Sequence, residues 1–488
     1  MNNKIFNKKL VYFYFITILS LLLLSASGCV TTPIKLDDNF YNSIRQVGTE
    51  VDSIFYFKLP NGISVYIYKQ PKNENDSDSS NLYQKMWISY IFNNLAIAMS
   101  DLPAGTQYAL ADILYYIAGA KYDADKFESL YKSGYLSELD YQMTEDYYRL
   151  TIAASPSYFN TLLTDIPVDI IKKSIPKNIN YQELAKSYSQ FLKKKEYDPN
   201  WLAYRLAEQN AFQNTAYSFL IDTPSSYSRI NEFSVSKLYK RLIQPKNLTI
   251  IIRGSKISAQ AAANILWEKF SFLKNSNQEI DSNKISEVDP SKLNKKNFSY
   301  AISKDSKNSL VACYFPGPVL DSKKTPAFIA ALNILGKKLF IDVRIKNNCA
   351  YQIDVFPYLL KQIWGNILYN TNNINFSMQI IRKTIQNIRT TGISDDDLNG
   401  FKNFIFTTYY LYQSYGINKF RLFFNSITQY NEDLENFYVN YLKTFQNLCK
   451  ENVNDMIKNY FNYFYWGIVT SDESNIKNLP KELFFYNP

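Results

Sequence analysis

Ile54-Phe55-Tyr56-Phe57-Lys58-Leu59-Pro60-Asn61-Gly62-Ile63-Ser64-Val65-Tyr66-Ile67-Tyr68 sets two apolar, strand-favouring runs on either side of a Pro-Asn-Gly turn. Residues 54–59 and 63–68 read as the arms of a hairpin, because Asn-Gly accepts the backbone angles of a tight reversal. Beyond a polar, acidic loop at 73–81, residues 86–92 predict a buried strand and 106–118 an apolar helix. An amphipathic helix is expected at 123–132, strands at 139–143 and 147–154, and a further helix from near Ser157. One long helical stretch is expected over 181–212. A basic helix at 234–242, the breaker Pro245-Lys246-Asn247 and a strand at 248–253 then close this half.

Residues 273–296 are rich in Asn, Ser, Lys and Asp, with little apolar periodicity, and read as a linker. After it a similar order begins again: a strand at 310–315, a helix at 325–340 and a helix at 376–391 capped by Gly392. Ser394-Asp395-Asp396-Asp397 restarts a helix with an acidic first turn. A helix at 453–461 leading into a strand at 465–470 echoes the end of the first half. The expected fold is therefore α+β: two homologous domains, 52–272 and 297–488, each an antiparallel sheet with helices packed on one face.

No histidine occurs among the 488 residues. That removes the usual general base near neutral pH and the commonest zinc ligand, and with them Ser–His–Asp and Cys–His nucleophilic machinery. Cys313, Cys349 and Cys449 lie far apart and show neither metal-ligand spacing nor a disulfide framework. The net charge of +10 comes mainly from dispersed lysines interleaved with acids. No arginine-rich stripe marks a nucleic-acid footprint, so no nucleic-acid partner is expected. The basic surface suits an anionic membrane.

Lys4, Lys8 and Lys9 precede a short apolar run over 10–24, followed by Ser25-Ala26-Ser27-Gly28-Cys29. This layout reads as a secretory signal, since the apolar run is short and ends in small residues. Its end resembles the lipobox of bacterial lipoproteins, with Ala26 where leucine is usual. That resemblance implies residues 1–28 as signal peptide, Cys29 as the lipidation site, and a tether over 29–51. The chain would then sit on the extracytoplasmic side of a membrane in the bacterial envelope. The competing reading is an uncleaved N-terminal membrane helix with an incidental cysteine.

The ordered set of short motifs resembles the pitrilysin/insulinase-type metallopeptidases, the inverzincins of the H-x-x-E-H signature. Leu59-Pro60-Asn61-Gly62-Ile63-Ser64-Val65 resembles their opening hairpin, and Gly105 to Leu114 falls where the family writes its zinc helix. Tyr147-Tyr148, Asp198-Pro199-Asn200-Trp201, Ala216-Tyr217, Thr223-Pro224 and Pro245-Lys246-Asn247-Leu248 through Gly254 follow in order. Phe315-Pro316-Gly317-Pro318, Leu339-Phe340 and Arg344 to Tyr351 continue the match in the second half, which brings it to roughly residues 52–480.

The resemblance aligns the zinc-binding and water-activating positions with Tyr108, Ala111 and Asp112. A neutral phenol, a methyl and one lone carboxylate cannot hold a hydrolytic zinc or activate its water. Taken alone, the three residues read as ordinary helix packing with an exposed Asp. The third ligand position falls near Gln190 or Phe191, with Glu183 about two turns away. The family's substrate-pairing edge strand carries Ser137-Glu138 in place of Asn-Ala, and its glycine-rich segment is shortened to Gly336-Lys337-Lys338. An Arg and a Tyr seven residues apart are kept as Arg344 and Tyr351; in the family this pair binds the substrate carbonyl and stabilises its oxyanion. With 41 tyrosines in the chain, a chance match at Tyr351 is the competing reading.

The expectation is a degenerate, catalytically inactive homologue that needs no cofactor and holds no metal, acting as an envelope binding or scaffold protein for a peptide ligand. The alternative is the Arg/Tyr-bearing accessory subunit of a heterodimer whose homologous partner supplies zinc. A peptidase with relocated carboxylate ligands is the third reading.

Overall fold

The computed structural model describes residues 35–47, 53–69, 86–121, 129, 132–133, 136–155, 159, 165–172, 175–254, 257–274, 297–304, 306–320, 323–414, 439–477 and 479. The signal segment, Cys29, most of the expected helix at 123–132 and most of the linker lie outside these residues.

The strands are β1 (Arg45–Val47), β2 (Ser53–Lys58), β3 (Ser64–Lys69), β4 (Met86–Asn93), β5 (Leu136–Met143) and β6 (Tyr147–Ala154). They continue with β7 (Leu248–Arg253), β8 (Phe298–Ile302), β9 (Ser309–Val319), β10 (Ile353–Leu359), β11 (Gln362–Thr371) and β12 (Tyr465–Thr470). The helices used below are α1 (Asp38–Asn42), α2 (Thr106–Lys121), α3 (Tyr181–Lys195), α4 (Pro199–Phe212) and α5 (Glu232–Leu242). Five more follow: α6 (Ala259–Phe270), α7 (Lys324–Leu339), α8 (Ile374–Thr391), α9 (Asp395–Ser414) and α10 (Lys450–Tyr460).

The quoted hairpin forms as β2 and β3, in register from Ser53↔Lys69 to Lys58↔Ser64. Its turn depends on Gly62, whose φ of +101° lies in a region that side-chain-bearing residues avoid. The first sheet runs β1-β2-β3-β7-β4-β6-β5 and the second β10-β11-β9-β12-β8. Read from β3 and from β8, five strands repeat the same order and sense. In each half one parallel pair, β3–β7 or β8–β12, is followed by antiparallel neighbours. The sheets are thus mixed rather than wholly antiparallel. The helix α2 lies between β4 and β5 as α7 lies between β9 and β10, so the halves share one plan.

Helices do not keep to one face of the second sheet. Its inner side packs on α7, α8 and α10 through Val311, Phe315, Ile363, Ile367 and Ile468. The opposite side, with Ala312, Tyr314, Trp364, Tyr465 and Val469, joins the core of the first half. The element that covers it is α4, from the first half. Gly467 in β12 permits this close crossing, because a Cβ there would lie 2.1 Å from the Ala203 carbonyl oxygen. Asn210 on α4 donates its side-chain amide to the Trp466 carbonyl at 3.0 Å and accepts from the Ser299 hydroxyl at 3.0 Å. A strand covered on both faces reads as a continuous apolar run, and all six residues of β12 are buried.

Three further expectations change. The 181–212 stretch breaks at Glu196–Asp198, because Pro199 cannot sit inside a helix and instead starts α4 behind the Asp198 cap. Part of the expected tether is folded: α1 and β1 fall within 29–51, and Leu36, Phe40 and Ile44 pack on the core. The strand at 310–315 extends as β9 to Val319 despite Pro316 and Pro318, since beyond Tyr314 it pairs with β11 alone.

Candidate functional site

The first two turns of α2 present Tyr108, Ala111 and Asp112 differently. Tyr108 is 41% exposed, while Ala111 is buried in the helix–sheet core. Asp112 is half-buried rather than exposed, and both its oxygens are engaged. Oδ1 accepts the phenolic hydrogen of Tyr141 from β5 at 3.2 Å, and Oδ2 accepts that of Tyr188 from α3. Burial first, and then the Asp112 carboxylate, push the Tyr188 phenol well above its ordinary value, so it stays a donor.

The positions expected for a third ligand do not reach this cluster. Gln190 and Glu183 are exposed, Phe191 is 60% exposed, and Glu183 is occupied at the α3 N-terminus with Asn180. The residue of α3 that meets α2 is Tyr188, which shares a helix face with Leu184 and Leu192. Sequence reading missed it, although that i±4 spacing was its available signal. Among the described residues no group of three His, Cys, Asp or Glu side chains is placed to hold a metal ion. The residues present at Asp112 do not fit zinc: one carboxylate, both oxygens bound by phenols, leaves no ligand set.

Next to this cluster lies a polar seam between the halves. Tyr188 packs on Tyr227 at 5.5 Å, and Tyr227 donates to Asp222, which also accepts from buried Arg205. Across the seam Tyr358 donates to Glu145, and Tyr314 donates to Glu208 at 3.3 Å. Tyr217 donates to Asp146 at 3.0 Å and accepts the Lys361 backbone N–H at 3.0 Å. The Lys361 ammonium donates to Asn94. Burial pushes Glu208 up to about 7, against the opposing pull of Arg205. It pushes Asp146 up to about 6, against Lys361.

In the second half a π-helical turn, Phe340–Lys346, follows α7 and brings Arg344 beside Tyr351. The guanidinium carbon sits 5.2 Å from the Tyr351 ring centre and 5.1 Å from that of Phe340, a stacked arrangement that orients the cation. Tyr351 is 76% exposed, and Ile345, the residue after Arg344, is 63% exposed. Gly336, Lys337 and Lys338 lie in the last turn of α7, where Lys338 pairs with Asp397 at 2.8 Å. Ser137 and Glu138 lie in β5, the outer strand of the first sheet.

Residues 229–404 match the family model of the peptidase M16 inactive domain. The fold is similar to the periplasmic protease PqqL from Escherichia coli, at 14% identity and a TM-score of 0.64, covering 91% of this chain and 48% of that one. A protease from Helicobacter pylori is similar at 14% identity and a TM-score of 0.66, covering 85% of this chain and 98% of that one. The M16 inactive domain from Pseudomonas fluorescens gives 12% identity and a TM-score of 0.68, covering 86% and 98%. The chain thus spans about half the length of the Escherichia coli protease. A search of curated proteins finds no match.

Proposed function

We propose that this chain, whose residues 229–404 match the peptidase M16 inactive domain, is a member of the pitrilysin/insulinase-type peptidases with a non-hydrolytic role, a lipid-anchored binding or scaffold protein of the bacterial envelope. One observation carries this reading. In a chain with no imidazole, the lone carboxylate of the α2 face is already bound by the hydroxyls of Tyr141 and Tyr188. Tyr108, Ala111 and Asp112 are then the remnants of the zinc site, and hydrogen bonds tie α2 to α3 and to β5 where a metal would tie the helices. The basic n-region, short apolar run and Cys29 support export and acylation. Among the described residues no helix is long and apolar enough to cross a membrane.

A second reading is favoured by the Arg344–Tyr351 stack. A half-buried, preoriented guanidinium beside an exposed phenol suits a carbonyl or carboxylate ligand. In that case the chain is the accessory subunit of a heterodimer whose homologous partner supplies zinc. The test mixes the purified chain with a histidine-bearing homologue and follows peptide hydrolysis. Hydrolysis that needs both chains and is lost with Arg344→Ala establishes the accessory role. Hydrolysis by the homologue alone, unchanged by adding this chain, leaves the stand-alone binding role.

A further inference from the structure

We propose that the groove at the N-terminal edge of the first half is a membrane-facing surface that takes the headgroups of anionic phospholipids. The proposal rests on the reading of Cys29 as acylated and deepens it by fixing which face turns to the bilayer.

The groove has a volume of about 470 Å³. Leu36, Phe40, Pro60 and Trp267 supply its apolar walls, and the exposed Lys35 and Lys274 stand with them. It is built rather than incidental. Asn61 donates its amide to the Phe270 and Leu273 carbonyls at 2.9 and 3.3 Å, fixing the hairpin turn onto the end of α6. Phe40 packs edge-on against Phe57 at 6.0 Å, and Tyr41 donates to Asn264 on α6 at 2.6 Å. Asp37, the acid of the lining, has Oδ1 engaged by the Phe40 backbone N–H at the start of α1.

The chemistry of that lining fits an interface. Aromatic rings and lysines together suit the headgroup layer, where rings enter the acyl boundary and ammonium groups meet phosphate. Phe272, 38% exposed and adjoining the groove residues Ser271 and Leu273, holds the Lys172 ammonium 4.6 Å above its ring. The position in the chain adds the second argument. Lys35 follows Cys29 by six residues, and a fully extended segment of that length reaches on the order of 20 Å. An acyl group on Cys29 therefore holds Lys35, at the edge of this groove, within on the order of 20 Å of the bilayer.

The test uses the full-length chain purified from membranes, whose intact mass first reports acylation at Cys29. Lysine acetylation is then compared between detergent and vesicles of phosphatidylglycerol or phosphatidylcholine. The expected result is several-fold protection of Lys35 and Lys274 on phosphatidylglycerol alone, with Lys346 and Lys477 unchanged. Quenching of Trp267 fluorescence by brominated phosphatidylglycerol should be lost in Lys35→Glu/Lys274→Glu. Equal reactivity in vesicles and detergent overturns the proposal. So does protection in detergent that grows with protein concentration, because a second copy then covers the groove. An unacylated Cys29 refutes the anchor reading by itself; the chain is then added to preformed vesicles, where protection supports the surface and its absence overturns it.

Discussion

Tyr188 on α3 donates its phenolic hydrogen to Asp112 on α2, and this bond fastens two helices that the sequence separates by 76 positions. Tyr141 engages the other carboxylate oxygen from β5, so one side chain joins two helices and an edge strand. The arrangement does structurally what a shared metal would do, without leaving the carboxylate open to an ion.

Tyr188→Phe removes one donor and leaves Asp112 Oδ2 in a half-buried site without its phenol. The expected loss is about 1–2 kcal/mol, read as a lower urea midpoint at unchanged slope. An unchanged midpoint would show that the contact is idle. Asp112→Ala should cost more, since it strands two phenols at once.

The crossing of α4 over β12 has no room for a side chain at Gly467, where a Cβ would meet the Ala203 oxygen at 2.1 Å and the Ala207 nitrogen at 2.5 Å. Gly467→Ala should destabilise the chain by about 1–3 kcal/mol or more, because two backbones must separate. Limited proteolysis should show faster cleavage near α4. Wild-type resistance would contradict the close packing.

How much of this was legible beforehand differs from element to element. Residues 147–154 and 465–470 are strand-favouring runs interrupted only by Arg149, Thr151, Gly467 and Thr470, and both appear as strands at those bounds. The hairpin of β10 and β11 was missed because Asp354, Pro357, Gln362 and Asn366 interrupt its pattern, although Gln362 and Asn366 are buried. The break before α4 was signalled by Asp198-Pro199, but the helix-favouring residues on either side masked it. Tyr188 could not be told from the other tyrosines by composition, since its role depends on which face of α3 meets Asp112. The seven-residue spacing of Arg344 and Tyr351 was legible, whereas their stacking, the π-helical turn and the Phe340 ring were not.

The seam carboxylates give the protein an unusual pH response. In the folded state Glu208 is raised from 4.5 to about 7 and Asp146 from 3.8 to about 6. Between those limits the folded chain binds more protons than the unfolded one, so these groups make stability fall as pH rises. Their contribution is fully present below the unfolded values and is lost as pH climbs through about 6 to 7. Denaturation from pH 5 to 7.5 should therefore show a declining midpoint, and Glu208→Gln should flatten it. A midpoint rising over this range would contradict the assignment.

Arg344→Ala removes a guanidinium stacked between two partly exposed rings. Stability should change by about 1 kcal/mol, as for a cation–aromatic contact of a half-buried guanidinium. Any effect on joint hydrolysis with a zinc-bearing homologue is then attributable to ligand contact and not to unfolding. A large drop in thermal midpoint would assign Arg344 a structural role instead.

The most direct test of the account is a paired measurement on the pure, solitary chain: zinc content after dialysis against a micromolar zinc buffer, and turnover of a quenched-fluorescence peptide. The account predicts no stoichiometric zinc and no turnover, whether or not zinc is added. Hydrolysis that a chelator abolishes and zinc restores would contradict it.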